Sequence, residues 1–377
     1  METELPPEPA ATPEPTPQPP PEIVPTPDLT SPASIPPAPE APTYSDRSNG
    51  LMIFGIAQVI LGLLAALMVP LAGLSMFLSR LRPAGALRPG MYVSSMATYG
   101  FAAATLLILG FGSIQTKRWA RALTLVVSWY WLITGVLVTI LVTAVLPVAM
   151  RSALALAQQS APGGPAPEFS TGVMAVILTI IIVFIAFFLI AVPTAFVVFY
   201  SRRDVEQTCR DRDPIERWTD RTPLPVLGAS VVLFAGALYM AIMGATAPLF
   251  PFFGRYLTGI GGSACFMGVA ALDIYLSIAI FRLELTGWWI AVSTVPIRLL
   301  SMGLTYAKGD LMFAYSKLGM SDQQLRMINA NPMFRGHVIL WWSLLSLVIF
   351  FGYLLWLRRY FKPPVVASMA NPVSNLG

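Results

Sequence analysis

Charge is scarce in this chain. Only 11% of its 377 residues are Asp, Glu, Lys or Arg, against 55% hydrophobic ones. That balance excludes an ordinary soluble core and fits a polytopic membrane protein. Histidine is scarcer still, with His337 the single one, two residues after Arg335. One imidazole allows neither a histidine-based zinc site nor a His-activated serine, so no metal, cofactor or enzymatic activity is expected. The two cysteines, Cys209 in a charged stretch and Cys265 in an apolar one, have no metal-ligand spacing. The first is expected in water and the second in the membrane, which argues against a disulfide. No asparagine begins an N-x-S/T acceptor, in keeping with a bacterial protein. Basic residues are absent from positions 1–46, which carry eight acids and frequent prolines in the style Pro-Glu-Pro-Thr-Pro. A segment so rich in proline and like charge cannot pack a core, and residues 1–48 read as a disordered, polyproline-like acidic tail.

Apolar runs are what the chain has in abundance. A bilayer-crossing helix needs about 20 of them in a row. Leu51–Leu78, Met91–Ile114, Ala122–Met150, Thr171–Tyr200, Leu224–Gly254 and Val338–Leu357 reach that length without a charge. Tyr256–Phe281 and Leu285–Ala307 reach it with one charge each, Asp273 and Arg298. The predicted fold class is therefore an all-α polytopic membrane protein of about eight transmembrane helices. With both ends on one side, that side carries fourteen Lys and Arg residues and the other nine, which predicts cytoplasmic termini in a bacterial cytoplasmic membrane. This distribution belongs to a lipid bilayer and gives no sign of nucleic acid.

The spans fall into two blocks of four. The first opens after Asp46-Arg47 and the second after Asp220-Arg221; they close on Arg202-Arg203 and Arg358-Arg359. Tryptophan starts the third helix of each block (Trp119; Trp288 and Trp289), and Pro70-Leu71 finds its match in Pro248-Leu249. The expected organisation is a tail (1–48), a four-span repeat (49–203), a charged linker (204–221), a second repeat (222–362) and a C-terminal tail (363–377). Four spans per unit would make the copies parallel, with Arg47 over Arg221 and Trp119 near Trp288 or Trp289. On that alignment Asp273 falls opposite Ala104 and Arg298 near Trp129.

Two segments outside the spans have character. Ser201–Arg221 mixes six arginines with six acids and reads as a solvated surface helix held by local ion pairs and broken at Pro214. Lys308–His337 contains a short amphipathic helix around Leu311–Leu318 and a second starting at a Ser321-x-x-Gln324 capping box. Both are expected to rest in the interface plane as a connector, with a lid as the functional alternative.

One constellation rises above this background. Asp273 lies nine residues before Arg282, and Arg298 ten residues after Trp288, so each sits about 14 Å deep on consecutive antiparallel helices. A lone charge at that depth costs several kcal/mol, and such residues face the bundle and pair. Tyr275 could extend a polar path from Asp273. Pro296 frees a carbonyl beside Arg298, and Pro193 is a second mid-depth kink. The expected function is a non-enzymatic structural, regulatory or partner-binding role, with the tail or the 204–221 linker as the contact for a protein partner. The alternative is a secondary transporter or channel with its site at Asp273 and Arg298.

Overall fold

The computed structural model describes residues 44–81, 89–160, 171–317, 320, 322–330 and 336–361. Most of the acidic tail, the C-terminal tail 363–377 and Ser321 lie outside the described residues. In chain order the helices are α1 (Ser48–Leu81), α2 (Pro89–Ile114), α3 (Arg118–Ser160), α4 (Thr171–Ala186), α5 (Val192–Tyr200), α6 (Arg203–Arg212), α7 (Trp218–Arg221), α8 (Leu224–Thr246), α9 (Gly259–Phe281), α10 (Leu285–Lys308), α11 (Leu311–Lys317), α12 (Asp322–Ala330) and α13 (Gly336–Leu357). Among the described residues eight helices are long and apolar enough to cross a membrane: α1, α2, α3, α4 continued into α5, α8, α9, α10 and α13. Their outward faces are apolar, with Ile53, Leu64, Ile140, Ile180 and Phe184 each 51–66% exposed. Such a surface fits a multi-pass protein embedded in lipid. The beginnings of α1, α3 and α8, the α9–α10 turn and the end of α13 gather on one side, here called basal.

Small residues set the closest helix crossings. A Cβ on Gly110 of α2 would lie 2.9 Å from the carbonyl oxygen of Gly55 on α1, so this antiparallel pair touches backbone to backbone. On α8 and α9 the matching contact is made by serines. Ser230 donates to the Ser277 carbonyl at 2.8 Å, and Ser277 returns a bond to the Ser230 carbonyl at 2.9 Å. Each hydroxyl satisfies itself on the neighbouring backbone, so the contact carries polarity without stranding it.

The basal turns α2–α3 and α9–α10 have the same hydrogen bonds. Lys117 N–H donates to Gly112 and Thr116 N–H to Ser113; Glu284 N–H donates to Ala279 and Leu283 N–H to Ile280, all at 2.9 Å. These are two Schellman closures, each with its left-handed residue in the same place, Thr116 (φ 54°) and Leu283 (φ 59°). Every partner in the second turn stands 167 positions after its counterpart in the first. The tight contact over the turn is reciprocal as well: Gly112 faces the Ala120 methyl, and Gly287 faces the Ala279 methyl. Burial follows the same spacing. Ala103, Leu109, Gly110, Gly112 and Ser113 are buried on α2, and Ala270, Leu276, Ser277, Ala279 and Ile280 on α9. On α1 the buried positions are Leu51, Gly55, Gln58 and Gly62; 175 positions on, Val226, Ser230, Leu233 and Ala237 are buried on α8, along with Leu227, Gly228, Ala229 and Gly244.

Three sequence expectations are corrected. The runs Leu224–Gly254 and Tyr256–Phe281 are not two helices meeting at Arg255. Helix α8 stops at Thr246, and an antiparallel hairpin of β1 (Leu249–Phe252) and β2 (Arg255–Thr258) precedes α9. Pro248 and Pro251 lack N–H groups for a helix, and Phe253 (φ 41°) and Gly254 (φ 92°) form the two-residue turn. Hydropathy does not distinguish an apolar strand from a helix end. The turn is pinned to α10, where Phe253 N–H donates to Ser301 Oγ at 3.1 Å and Gly254 N–H to Thr305 Oγ1 at 2.9 Å.

The other two corrections concern the linker. Cys209 is not in water but 1% exposed, packed among Leu51, Leu125, Phe196, Tyr200 and Val205. The linker is likewise no freely solvated helix: Val205, Thr208 and Cys209 form a buried stripe on α6. Their spacing of three and four residues is the amphipathic signal, hidden among flanking charges.

Candidate functional site

Asp273 and Arg298 meet between α9 and α10. Arg298 Nη1 donates to Asp273 Oδ2 at 3.2 Å, and Nη2 donates to Oδ1, which makes a two-pronged carboxylate–guanidinium pair. The α9–α10 turn explains why they meet, because it folds two helices back on each other, with Asp273 ten residues before Leu283 and Arg298 fifteen after it. The Asp273 side chain is 4% exposed and that of Arg298 27%. The pair is closed on the carboxylate side and partly open on the guanidinium side.

The other sequence-selected residues do not converge on it. Tyr275 is 46% exposed. Two positions along a helix from Asp273, it lies on a different face, pointing away from the pair. Pro296 is exposed and α10 runs through it unbroken. Pro193 sits just after a π-helical segment, Phe187–Ala191, that separates α4 from α5. The Leu189 carbonyl, four residues before Pro193 in the π-helical segment, lies against α3, where a Cβ on Gly135 would lie 2.0 Å from that oxygen. His337 is exposed at the start of α13. Ser263 donates to the Gly244 carbonyl at 2.5 Å, a helix-packing bond.

A second polar centre lies in the first four spans, where sequence inspection found none. Tyr200 OH donates to Ser113 Oγ at 2.9 Å, Ser113 Oγ to Gln58 Oε1 at 3.3 Å, and Gln58 Nε2 to Thr124 Oγ1 at 3.2 Å. All four are at most 3% exposed. A glutamine in an otherwise apolar span was the available signal, since its amide has to find partners in the bundle.

The linker joins the basal ends of the first spans. Arg121 pairs with Glu206 at 3.0 Å, Arg118 with Asp220 at 3.3 Å, Lys117 with Asp213 at 3.8 Å and Arg47 with Asp204 at 3.6 Å. Only Arg210–Glu206, at 2.7 Å, is a local pair within α6. The segment before α1 also seats here, through Arg212–Asp46 at 2.8 Å and the Tyr44 hydroxyl on Asp211. Asp204, Asp213 and Asp220 thus neutralise bases of the bundle, and Glu206 pairs both with the bundle's Arg121 and with its neighbour Arg210. Burial pushes the Cys209 thiol up to about 11, from an ordinary 9.0, although Arg121 and Arg118 pull the other way.

Two cavities mark the bundle. One is a shallow trough along the π-helical segment, bounded by Phe54, Phe187, Ile190 and Arg202. The other, about 650 Å³, lies between α3, α8 and α13. Neither is lined by Asp273 or Arg298. No family model, curated protein or solved structure matches this chain.

Proposed function

We propose that this chain is a non-enzymatic multi-pass protein of a bacterial cytoplasmic membrane, structural, regulatory or partner-binding in role, and that Asp273–Arg298 is a clasp. The observation that carries this reading is the pair itself: two-pronged, nearly closed around the carboxylate, and bordering neither cavity. A buried pair of this kind holds two helices in one register, which is its best-attested structural use. The exposed faces of Arg210, Asp211 and Arg212 on the linker, beside residues 44–46 where the acidic Pro-rich tail joins α1, supply a charged surface for a soluble partner. Both termini lie in the cytoplasm on the basic count of fourteen against nine.

The two blocks are a tandem duplication in this reading. It is supported by the twin Schellman turns and the shared burial spacing of α1–α2 and α8–α9. Taken from the turns, the alignment sets Arg121 over Trp288, Leu106 over Asp273 and Trp131 over Arg298, two positions from the match suggested by the tryptophans. The runner-up, a transporter or channel, draws on the 27% exposure of Arg298 at mid-depth.

The test places a cysteine at Thr294, one helical turn from Arg298, and adds a membrane-impermeant thiol reagent from either side. A clasp leaves Cys at 294 unreactive on both sides. Reaction from one side would reveal an aqueous path and transfer the proposal to transport. A Ser45→Cys variant that reacts only from the outside would overturn the cytoplasmic placement of the first end.

A further inference from the structure

The cavity between α3, α8 and α13 is not accounted for by the clasp. Its floor is Gly228 and Val232 of α8, and its walls are aromatic, with Trp129 and Tyr130 on α3 and Trp342 and Trp356 on α13. It is also open sideways, since Tyr130, Ile133, Ile349 and Trp356 are 39–53% exposed on the outer surface of the bundle. In a membrane that surface is bathed in acyl chains. From Trp356 at the basal end to Trp342 the groove runs fourteen residues of α13, about 21 Å. That exceeds half of a hydrocarbon core of about 30 Å, so one leaflet's chain fits lengthwise. Its volume of about 650 Å³ is in the range of a real ligand site.

The basal mouth has charge of one sign. Arg359 stacks 3.7 Å over the Trp356 ring and bonds to the Tyr360 hydroxyl at 2.9 Å, holding its guanidinium at the rim. Arg221 stands three residues before Leu224, which lines the groove, and is exposed. Neither has an ion pair among the described residues. The contrast with Lys117, Arg118 and Arg121, each matched to a linker acid, singles them out. Basic pockets between helices at the cytoplasmic surface bind anionic headgroups, and each arginine near the surface adds attraction.

We propose that this groove is a binding site for one anionic phospholipid, its acyl chain lying along Trp342–Trp356 and its phosphate at Arg359 and Arg221. The test uses the purified full chain, stripped of lipid in detergent and titrated with phosphatidylglycerol or phosphatidylcholine under native mass spectrometry. One phosphatidylglycerol should bind in clear preference to phosphatidylcholine. Arg359→Gln, an exposed change, should reduce that preference about fivefold. Ser346→Phe, which fills the middle of the groove, should lose both lipids while the protein still elutes as one species. Equal binding of the two lipids by wild type, or an undiminished preference in Arg359→Gln, would overturn the site. A dimer that Ser346→Phe dissolves would do so too, by assigning the groove to a second copy of the chain.

Discussion

Set on one another at their shared basal turn, the two four-span halves exchange polar and apolar cores. The first has Leu106 and Trp131 where the second has Asp273 and Arg298. The second has Ile280 and Ala291 of one apolar cluster where the turn sets Ser113 and Thr124, and Leu233 of that cluster matches Gln58 on the burial spacing of α1 and α8. The larger buried polar centre is thus neutral in the first half and ionic in the second, which also buries the Ser230–Ser277 crossing. What they have in common is geometry: the Schellman turn, the small-residue crossing and the spacing of buried positions. Helix packing in lipid demands close approach and satisfied polar atoms, and either kind of centre meets that demand. Their basal surfaces differ in the same sense. Linker acids cover the first half's bases, whereas Arg358 and Arg359 at the end of the second lie on tryptophan rings, with Arg358 5.4 Å from the centre of Trp288.

The largest expected effect comes from breaking the ionic centre. Asp273→Ala should destabilise by about 3–5 kcal/mol, since it leaves the Arg298 guanidinium, only 27% exposed, without its partner at mid-membrane depth. Asp273→Leu with Arg298→Leu, which moves the second half towards the apolar character of the first at these positions, should be far milder. Thermal unfolding in detergent measures both. Additive losses in the double variant would mean that the two side chains do not act as a unit.

Breaking the neutral centre should have a smaller effect. Gln58→Leu removes the acceptor of the Ser113 hydroxyl and the amide donor to Thr124 in a buried chain, a loss of about 1–3 kcal/mol. Gln58→Leu with Ser113→Ile and Thr124→Ala installs the residues of the other half. If the two cores are interchangeable, the triple variant should melt closer to wild type than the single one. A triple variant worse than the single would show that the first half cannot accept the second half's packing.

Alkaline pH probes a feature that only the first half has. The Cys209 thiol, raised by burial to about 11 from an ordinary 9.0, is neutral in the folded protein where an unfolded thiol would already ionise. An acid whose pKa rises on folding contributes fully below its unfolded value and loses that contribution as pH climbs through the folded one. Stability should therefore fall between pH 9 and about 11, and Cys209→Ala should flatten that part of the curve. An unchanged alkaline slope in Cys209→Ala would show that the burial of the thiol has no bearing on folding. Alkylation at neutral pH should reach half-buried Cys265 before Cys209.

How much could be read beforehand follows the physics of each element. The spans were legible because lipid requires long apolar runs, and Asp273 and Arg298 because charge is conspicuous inside them. The Gln58 chain was harder to see, since its donors are short hydroxyls dispersed over α1, α2, α3 and α5 and meet only in three dimensions. The hairpin at Leu249–Thr258 is concealed because its residues are as apolar as the spans beside it. Cys209 was placed in water because charged neighbours conceal a three-residue buried stripe. The tryptophans and the two turns suggest alignments of the halves that differ by two positions, and the turns are marked by backbone bonds, which no side chain advertises.

The smallest effect tests those marks directly. Thr116 and Leu283 both adopt the left-handed conformation that L-residues avoid, at a cost of roughly 1–2 kcal/mol each. Glycine takes that conformation without strain but loses more chain entropy on folding, about 0.5–1 kcal/mol. Thr116→Gly and Leu283→Gly should therefore each raise stability by about 1 kcal/mol or less, and together their gains should add, being in separate turns. Thr116 is the more demanding case, because its branched Cβ crowds the left-handed region further. Calorimetry on the two single variants and the double would settle whether the turns are equivalent. Gains of similar size identify one turn used twice. A gain at Leu283 with a loss at Thr116 would mean that the Thr116 hydroxyl, which bonds the Gln115 carbonyl at 2.8 Å, has made the first turn a different structure with the same backbone.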